Sequence, residues 1–209
     1  MAPFARALEP HLHRVAVPVL RGHGTRWSDL RGVTWRDWFD DAWAAVDEVA
    51  VSGPVAVIGL SMGGALALRL AATHRAVSHV VLVNPSLTMK NPLLPVLPVL
   101  RYLRPSIAND QPQVKDPSVR YQGYRRIPLV AVQEMTRLWA DVRWRLPAVT
   151  QPIMVFRSLA DGEAGLRSVE VVRRGVRSAD LVEVPLARIG HVATLDWDAG
   201  LIFEGRRRS

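Results

Sequence analysis

The chain has 209 residues, of which 49% are hydrophobic and 22% are charged, values typical of one globular domain spanning residues 1–209. It contains no cysteine, which excludes a disulfide framework, a thiolate metal site and a thiol nucleophile. No apolar run reaches the roughly 18 residues that a membrane span needs, and no signal peptide follows Met1, so we expect a cytoplasmic protein without stable membrane insertion.

The net charge of +8 raises the question of nucleic-acid binding, since arginines alternate with tyrosines in RYQGYRR, residues 120–126. The basic residues are nearly all arginine, however, and they are spread along the chain, with lysine only at Lys90 and Lys115. We interpret the charge as a solvated basic surface and expect no nucleic-acid partner.

The first elements in chain order are a short helix predicted over residues 4–12 and a buried strand predicted over residues 14–20, RVAVPVL, which is a β-branched apolar run. The irregular stretch RGHGT follows. Residues 34–50 then predict an amphipathic helix, because apolar and acidic side chains occupy opposite faces and Thr34 with Asp37 forms a capping-box-like start. We assign the tryptophans of this helix to the core.

The rest of the chain alternates strands with helices. Strands are predicted at PVAVIGL, VSHVVLVNP, QPIMVFRS and ADLVEVP, and helices at SMGGALALRLAATH and GEAGLRSVEVVRRGV. This alternation is typical of the α/β class, with a mostly parallel sheet that is flanked by helices on both faces.

The segment of residues 86–149 interrupts that alternation with proline-spaced apolar residues, a polar stretch and a helix-like run. It follows the carboxyl end of a strand, which is where open α/β sheets bind ligands, so we predict a small helical lid. The alternative is a structural elaboration that does not contact substrate.

A lone serine, Ser61, stands at the join between a predicted strand and a predicted helix, with Gly59, Gly63 and Gly64 around it. Glycines two residues before and two residues after it remove side chains that would collide at a sharp turn, as in the G-x-S-x-G nucleophile elbow. The backbone N–H of Met62 would then lie at the helix start, where it can bind an oxyanion. The alternative is a tight turn in which Ser61 caps the helix.

A serine nucleophile needs a base and an acid, and on this fold they follow in the order Ser, acid, His. Asp161, with Glu163 as a weaker candidate, lies in the loop after the IMVFRS strand, and His191 follows the last strand. Taken singly, Asp161 could be a turn aspartate beside Gly162 and His191 a loop histidine. Their order after an elbow favours a Ser61, Asp161 and His191 triad.

The remaining histidines fit the base less well. His74 and His79 flank a helix and a strand at the wrong end of the sheet, whereas His23 in RGHGT follows a strand's carboxyl end and could line the pocket.

The chain resembles the bacterial carboxylesterases and monoacylglycerol lipases of the α/β-hydrolase superfamily. The likeness runs through RGHGT, TWRDWFDDAWAAVDEV, VAVIGLSMGGALALRLAA, SLADGEAG and HVATLDWDAGLIFE. It implies hydrolysis of carboxylic esters of short or medium acyl chains, with Ser61 as nucleophile, His191 as general base and Asp161 as its orienting acid. It also implies a helical lid over an apolar acyl pocket, a small-molecule ester substrate, and neither cofactor nor metal.

Two departures from the family accompany this resemblance. Its members begin with one or more strands and an HGF-like loop whose backbone N–H is the second oxyanion donor, yet only about 14 residues precede Val15, too few for a strand, a loop and a helix. Either the protein begins upstream of Met1, or the chain is a shortened homologue. The acid loop DGEAG also has glycine and glutamate where the family usually has an apolar pair.

The sequence therefore predicts a serine carboxylic ester hydrolase that works through an acyl-enzyme. Two alternatives remain. One is a catalytically inactive hydrolase-fold binding or interaction protein with an exposed sheet edge that favours association. The other is an acyltransferase or cofactor-free perhydrolase that uses the same triad. An aspartate-nucleophile dehalogenase or epoxide hydrolase is disfavoured because position 61 is serine.

Overall fold

The structure is a computed structural model, and it describes residues 5–6, 9–89, 91–109, 123–187 and 191–192. Its strands are β1 (Val55–Leu60), β2 (Val77–Val83), β3 (Ser106–Ala108), β4 (Arg126–Pro128), β5 (Ile153–Ser158) and β6 (Leu181–Leu186). Its longer helices are α1 (Trp35–Ala50), α2 (Met62–Ala71), α3 (Leu97–Leu103), α4 (Leu129–Arg145) and α5 (Gly162–Gly175). Short 3-10 turns lie at Glu9–His11, Trp27–Gly32, Leu94–Val96, Leu146–Ala148 and Leu159–Asp161.

The main sheet is parallel and has the strand order β1-β2-β5-β6. Parallel pairing sets all four carboxyl ends at the same end of the sheet. The residues that follow three of these strands therefore lie there: Ser61 after β1, Asn84 after β2 and Leu159 after β5. The alternation predicted from sequence is confirmed, and it yields an α/β fold.

The two faces of this sheet differ in how they are covered. One face, which includes Val57, Leu82 and Val155, is packed by the helices and forms the large core. On the other face, Val83 and Phe156 are buried in a smaller cluster that Leu12 and Val15 contact. Because side chains alternate along a strand, each strand contributes to both clusters.

Helix α1 begins as the sequence predicts. The Thr34 side chain accepts from the backbone N–H of Asp37, and the Asp37 carboxylate accepts from the backbone N–H of Thr34 at 2.8 Å, which completes a capping box. Trp35 and Trp38 are buried in the core, in agreement with their assignment from helical spacing.

The strand predicted over residues 14–20 is wrong: this stretch forms no β-bridge. A strand must pair with the backbone of another strand. Among the described strands, β1 has an unpaired side, but a cavity that both segments line separates it from residues 15–18. Of the helix predicted over residues 4–12, the structure describes a helical pair at residues 5–6 and the 3-10 turn Glu9–His11, and the other positions lie outside the described residues.

The insertion of residues 86–149 divides into two parts. Its carboxyl-terminal helix, α4, packs into the main core through Leu138, Trp139 and Val142, so this part is a structural layer of the domain. The region from residue 91 to residue 109 instead exposes large apolar side chains, at Leu93, Val96, Val99, Tyr102 and Leu103. The two-stranded antiparallel sheet β3-β4 joins the two parts.

Candidate active site

Ser61 occupies a strained turn between β1 and α2. Its φ is 53° and its ψ is −116°, a conformation that L side chains rarely adopt. Its side chain makes no capping hydrogen bond to the helix. The tight-turn alternative requires the Ser61 hydroxyl to cap α2, and it does not do so. The backbone instead has the sharp geometry of a nucleophile elbow.

Close backbone approach explains two of the three glycines around Ser61. A Cβ on Gly59 would come within 2.2 Å of the carbonyl oxygen of Gly63, and a Cβ on Gly64 would meet Cβ of Pro85 at 2.9 Å. A Cβ on Gly63 would meet nothing within 4 Å. The expectation that Gly63 relieves a collision is thus wrong, because the crowding after Ser61 falls on Gly64, which faces the turn after β2.

Main-chain hydrogen bonds hold Ser61 on both sides. Its N–H donates to Val83 O at 3.0 Å, which extends the pairing of β1 with β2 by one residue. Its carbonyl accepts from the N–H groups of Gly64 at 2.9 Å and Ser86 at 3.0 Å. A strained residue persists only where its surroundings over-determine it, and these three bonds do so here.

The structure brings His191 to Ser61. The Nε2 atom of His191 lies 2.8 Å from Ser61 Oγ, although 130 positions separate the two residues in sequence. In the tautomer with its proton on Nδ1, the ring accepts a hydrogen bond from the Ser61 hydroxyl, which is the arrangement a general base needs. The neighbouring Val192 is buried, so His191 is held at the edge of the core.

Asp161 ends the 3-10 turn Leu159–Asp161, which directly follows β5, and Glu163 lies in the first turn of α5. Both backbones therefore lie at the carboxyl end of the sheet, directly after β5, which is the strand that the sequence predicts the acid to follow. The side chains of residues 161–164 lie outside the described residues, so the predicted pairing of Asp161 with His191 remains a prediction.

Met62 is the first residue of α2, and a helix leaves its first N–H groups without intrahelical acceptors. The partial positive charge of the helix start therefore lies directly beside Ser61, which is the residue before the helix. The role of Met62 as oxyanion donor remains a prediction, and its side chain is half-buried against the core.

A cavity of about 1390 Å³ contains the Ser61 and His191 side chains in its lining. Ile127 and Met135 from the insertion also line this cavity, so part of the insertion borders it. The lining is mainly apolar and continues along the whole of β1 as far as Pro54. Six strand residues span roughly 20 Å, so the cavity is a long trough beside β1.

The trough follows the free edge of β1. The N–H groups of Val55 and Ser61 donate to the β2 side, to Ala76 O and Val83 O, so the alternate residues Ala56, Ile58 and Leu60 direct their backbone groups to the other side. Within the described residues no strand pairs with β1 on that side.

The other histidines lie as the sequence suggested. His23 lines the trough and packs edge-on against Trp38, with ring centroids 5.9 Å apart. His74 is 3.0 Å from the Asp47 carboxylate, and Nδ1 of His79 is 3.0 Å from Ser78 Oγ. None of these three contacts Ser61 among the described interactions.

Sequence reasoning missed one residue at the carboxyl end of the sheet, Asn84, which directly follows β2. Its side chain is fully buried between the ends of β5 and the His191 segment, with Oδ1 accepting from Ser158 N at 2.6 Å. The available signal was the Asn-Pro pair that directly follows the apolar run of β2, a pair that marks a turn.

Within the described ranges, no group of three or more His, Cys, Asp or Glu residues is arranged to hold a metal ion. In the same part of the chain, none of the helices has both the length and the apolar character required to cross a bilayer.

The fold, the strained serine turn and the serine–histidine pair together define a hydrolase of the α/β type. The chain belongs to the alpha/beta hydrolase family, whose model matches residues 1–201. This confirms the resemblance and the fold class expected from the sequence.

Individual relatives point the same way. The thermostable monoacylglycerol lipase of Bacillus sp. (strain H-257) is 31% identical over 216 residues, a match that covers 98% of this chain and 82% of that enzyme. A structure from work on LipS and LipT, two metagenome-derived lipolytic enzymes, is 27% identical with a TM-score of 0.92, covering 99% of this chain and 85% of its own. The Paleococcus ferrophilus monoacylglycerol lipase, at 16% identity and a TM-score of 0.68 over 84% of this chain and 74% of that one, shares the fold.

Proposed function

We propose that the chain is a serine hydrolase that cleaves carboxylic esters of short to medium acyl chains, of the carboxylesterase or monoacylglycerol lipase type. The observation that carries the proposal is the 2.8 Å approach of His191 Nε2 to the hydroxyl of a strained serine at a helix start. A hydroxyl is a weak nucleophile until a base takes its proton, and this pair supplies both groups.

The reaction proceeds in two halves. Ser61 Oγ attacks the ester carbonyl carbon while His191 Nε2 takes its proton, and the Met62 N–H stabilises the resulting oxyanion. The C–O bond of the ester then breaks, and His191 returns the proton to the leaving alcohol. Water, deprotonated by His191, next attacks the acyl carbon. The bond from that carbon to Ser61 Oγ then breaks, which releases the carboxylic acid, and His191 returns the proton to Ser61. Asp161 orients the imidazole and stabilises its charged form.

The trough supports an ester with an apolar acyl chain. Its lining is formed largely by apolar side chains, including Leu66, Ile127 and Met135, which favour hydrocarbon over charged groups. The 31% identity to a monoacylglycerol lipase supports glycerol esters as one class to be assayed.

The direct experiment is hydrolysis of nitrophenyl esters of increasing acyl length by the natural chain and by Ser61→Ala. We expect Ser61→Ala to lower kcat by a factor on the order of 10⁴ or more, since the acyl-enzyme cannot form. His191→Ala and Asp161→Ala should lose most of the rate, and Glu163→Ala should not. Ser52→Ala is the matched control, because Ser52 lines the far part of the same trough.

The same assay separates the alternatives. If folded protein binds apolar ligands in the trough but turns over no ester, and Ser61→Ala behaves like the natural chain, the chain is a hydrolase-fold binding protein. Addition of an acceptor alcohol or of hydrogen peroxide distinguishes hydrolysis from acyl transfer and perhydrolysis, because these reactions differ in the group that takes the acyl chain from Ser61.

A further inference from the structure

Asn84 has an unusual environment for a polar residue. It is fully buried, at 0% exposure, and its φ is 42°, in the left-handed region. Asparagine tolerates that region better than most residues do, but a buried amide is costly unless its donor and acceptor are both satisfied. The amide of Asn84 meets this condition with two main-chain groups from distant parts of the chain.

These two groups belong to the segments that carry the predicted base and acid. The Nδ2 amide of Asn84 donates to the main-chain carbonyl of His191 at 2.8 Å, and its Oδ1 accepts from the main-chain N–H of Ser158 at 2.6 Å. Ser158 is the last residue of β5, three positions before Asp161. A single side chain therefore ties the His191 main chain to the end of β5.

The same turn also binds the serine. Val83 O accepts from Ser61 N at 3.0 Å, and Ser86 N donates to Ser61 O at 3.0 Å, while Asn84 N donates to Phe156 O at 2.9 Å. The four residues 83–86 thus contact the elbow, the end of β5 and the His191 segment.

We propose that Asn84 is a positioning residue that fixes the His191 main chain so that Nε2 remains within hydrogen-bond distance of Ser61 Oγ. The inference rests on the proposed function of the Ser61 and His191 pair. A ring held through its own main chain is displaced when that main chain drifts, and a displacement of about 1 Å in a reacting group can cost about 100-fold in rate. Asn84 does not touch substrate.

The principal variant is Asn84→Gly. Glycine accepts a positive φ without strain, so this change removes the two side-chain hydrogen bonds and leaves the turn itself allowed. We expect kcat for a nitrophenyl ester to fall by roughly 10- to 100-fold with KM within about twofold. Labelling of Ser61 by a fluorophosphonate should slow in the same proportion, and amide hydrogen exchange should quicken in peptides that contain His191.

A second variant isolates the amide donor. Asn84→Asp keeps the size of the side chain, the tolerance of positive φ and an acceptor for Ser158 N–H, but sets an oxygen against the carbonyl of His191. It should lose kcat as Asn84→Gly does. The matched control is Gln151→Ala: Gln151 Nε2 donates to Ala71 O at 2.8 Å and Val77 O at 3.3 Å, at the opposite end of the same sheet.

The outcomes are distinct. Unchanged kcat and unchanged exchange in folded Asn84→Gly overturn the proposal, as does an equal loss of kcat in Gln151→Ala, which would reduce the effect to general destabilisation. If the natural chain neither turns over ester nor reacts with the fluorophosphonate, the proposed function fails, and the positioning of a catalytic base by Asn84 fails with it. Hydrogen exchange then still decides whether Asn84 tethers the His191 segment.

Discussion

At the scale of single residues, the turn around Ser61 depends on where backbone comes close to backbone. Gly59 packs against the Gly63 carbonyl, and Gly64 packs against Pro85. The pattern G-x-S-x-G identifies the elbow correctly, but it names Gly63 for a task that Gly64 performs. Sequence spacing cannot show this, because the contact of Gly64 is with a residue from the next strand's end.

The two neighbouring glycines provide a matched pair of variants. Gly64→Ala should lower the free energy of unfolding by about 1–3 kcal/mol, because its Cβ would press on the rigid ring of Pro85. Gly63→Ala lies in a helix with open space around it, so it should leave that free energy unchanged or raise it by up to about 1 kcal/mol. Urea denaturation of both variants measures the difference. Equal destabilisation by the two would contradict the assigned contacts.

At the scale of elements, the start of α1 was readable from sequence and has a measurable value. Thr34 and Asp37 exchange hydrogen bonds, and these bonds with Thr34 hold the pKa of Asp37 below its ordinary value. Thr34→Ala should lower the free energy of unfolding by about 1 kcal/mol, whereas Thr34→Ser keeps the capping oxygen and should change it little. Thermal or urea unfolding of the two variants at neutral pH tests this.

The pH dependence of that cap has a definite sign. Because the pKa of Asp37 is lowered in the folded chain, its contribution is fully present above the ordinary aspartate pKa of about 3.9 and is lost as the pH falls through the lowered value. The difference in stability between Thr34→Ala and the natural chain should therefore shrink in strong acid. A difference that stayed constant down to that range would argue against a carboxylate partner.

Most of the fold could be predicted from periodicity, and the errors have physical causes. The four strands of the main sheet and the helices α1, α2 and α5 are local patterns, and each is where its pattern indicates. Residues 14–20 have the composition of a strand, but a cavity separates residues 15–18 from the free edge of β1, and pairing is a property of the whole sheet. Composition also could not show that α4 belongs to the core.

The candidate site was predictable in part for the same reason. Ser61 and Met62 form a local pattern, whereas the approach of His191 could only be inferred from the chain order that the fold imposes. Asn84 was missed because its role arises from two main-chain partners, Ser158 and His191, that no sequence pattern links to it.

At the scale of the whole molecule, part of the positive charge is engaged in ion pairs within the described residues. Arg21 pairs with Asp37 and Asp41 at 2.6 and 2.8 Å, and Glu183 pairs with Arg157 at 2.6 Å and Arg173 at 2.5 Å. Such pairs neutralise guanidinium groups that a nucleic-acid interface would leave available for phosphate.

The arginine- and tyrosine-rich stretch is also engaged internally where it is described. The Tyr124 hydroxyl donates to Gly22 O at 2.9 Å and accepts from Thr25 N at 3.0 Å, and Arg126 Nε donates to Ser106 Oγ at 2.9 Å. Arg120 and Tyr121 lie outside the described residues.

We therefore expect no saturable binding of a labelled DNA duplex by up to about 10 µM protein at about 0.15 M salt, measured by fluorescence anisotropy. Binding at that salt concentration, with the steep loss on further salt addition that phosphate contacts produce, would reverse the interpretation of the charge. The duplex alone at each salt concentration is the control.

The span between Ser61 and His191, 130 positions, has a consequence for the order of events during refolding. The pairing of β1 with β2 through α2 closes a short loop and can form early, whereas the serine–histidine contact requires the ends of a much longer one. The reactive hydroxyl should therefore return late. After dilution from denaturant, far-ultraviolet circular dichroism should recover before Ser61 regains its reactivity, so that chemical competence reports the last stage of chain assembly.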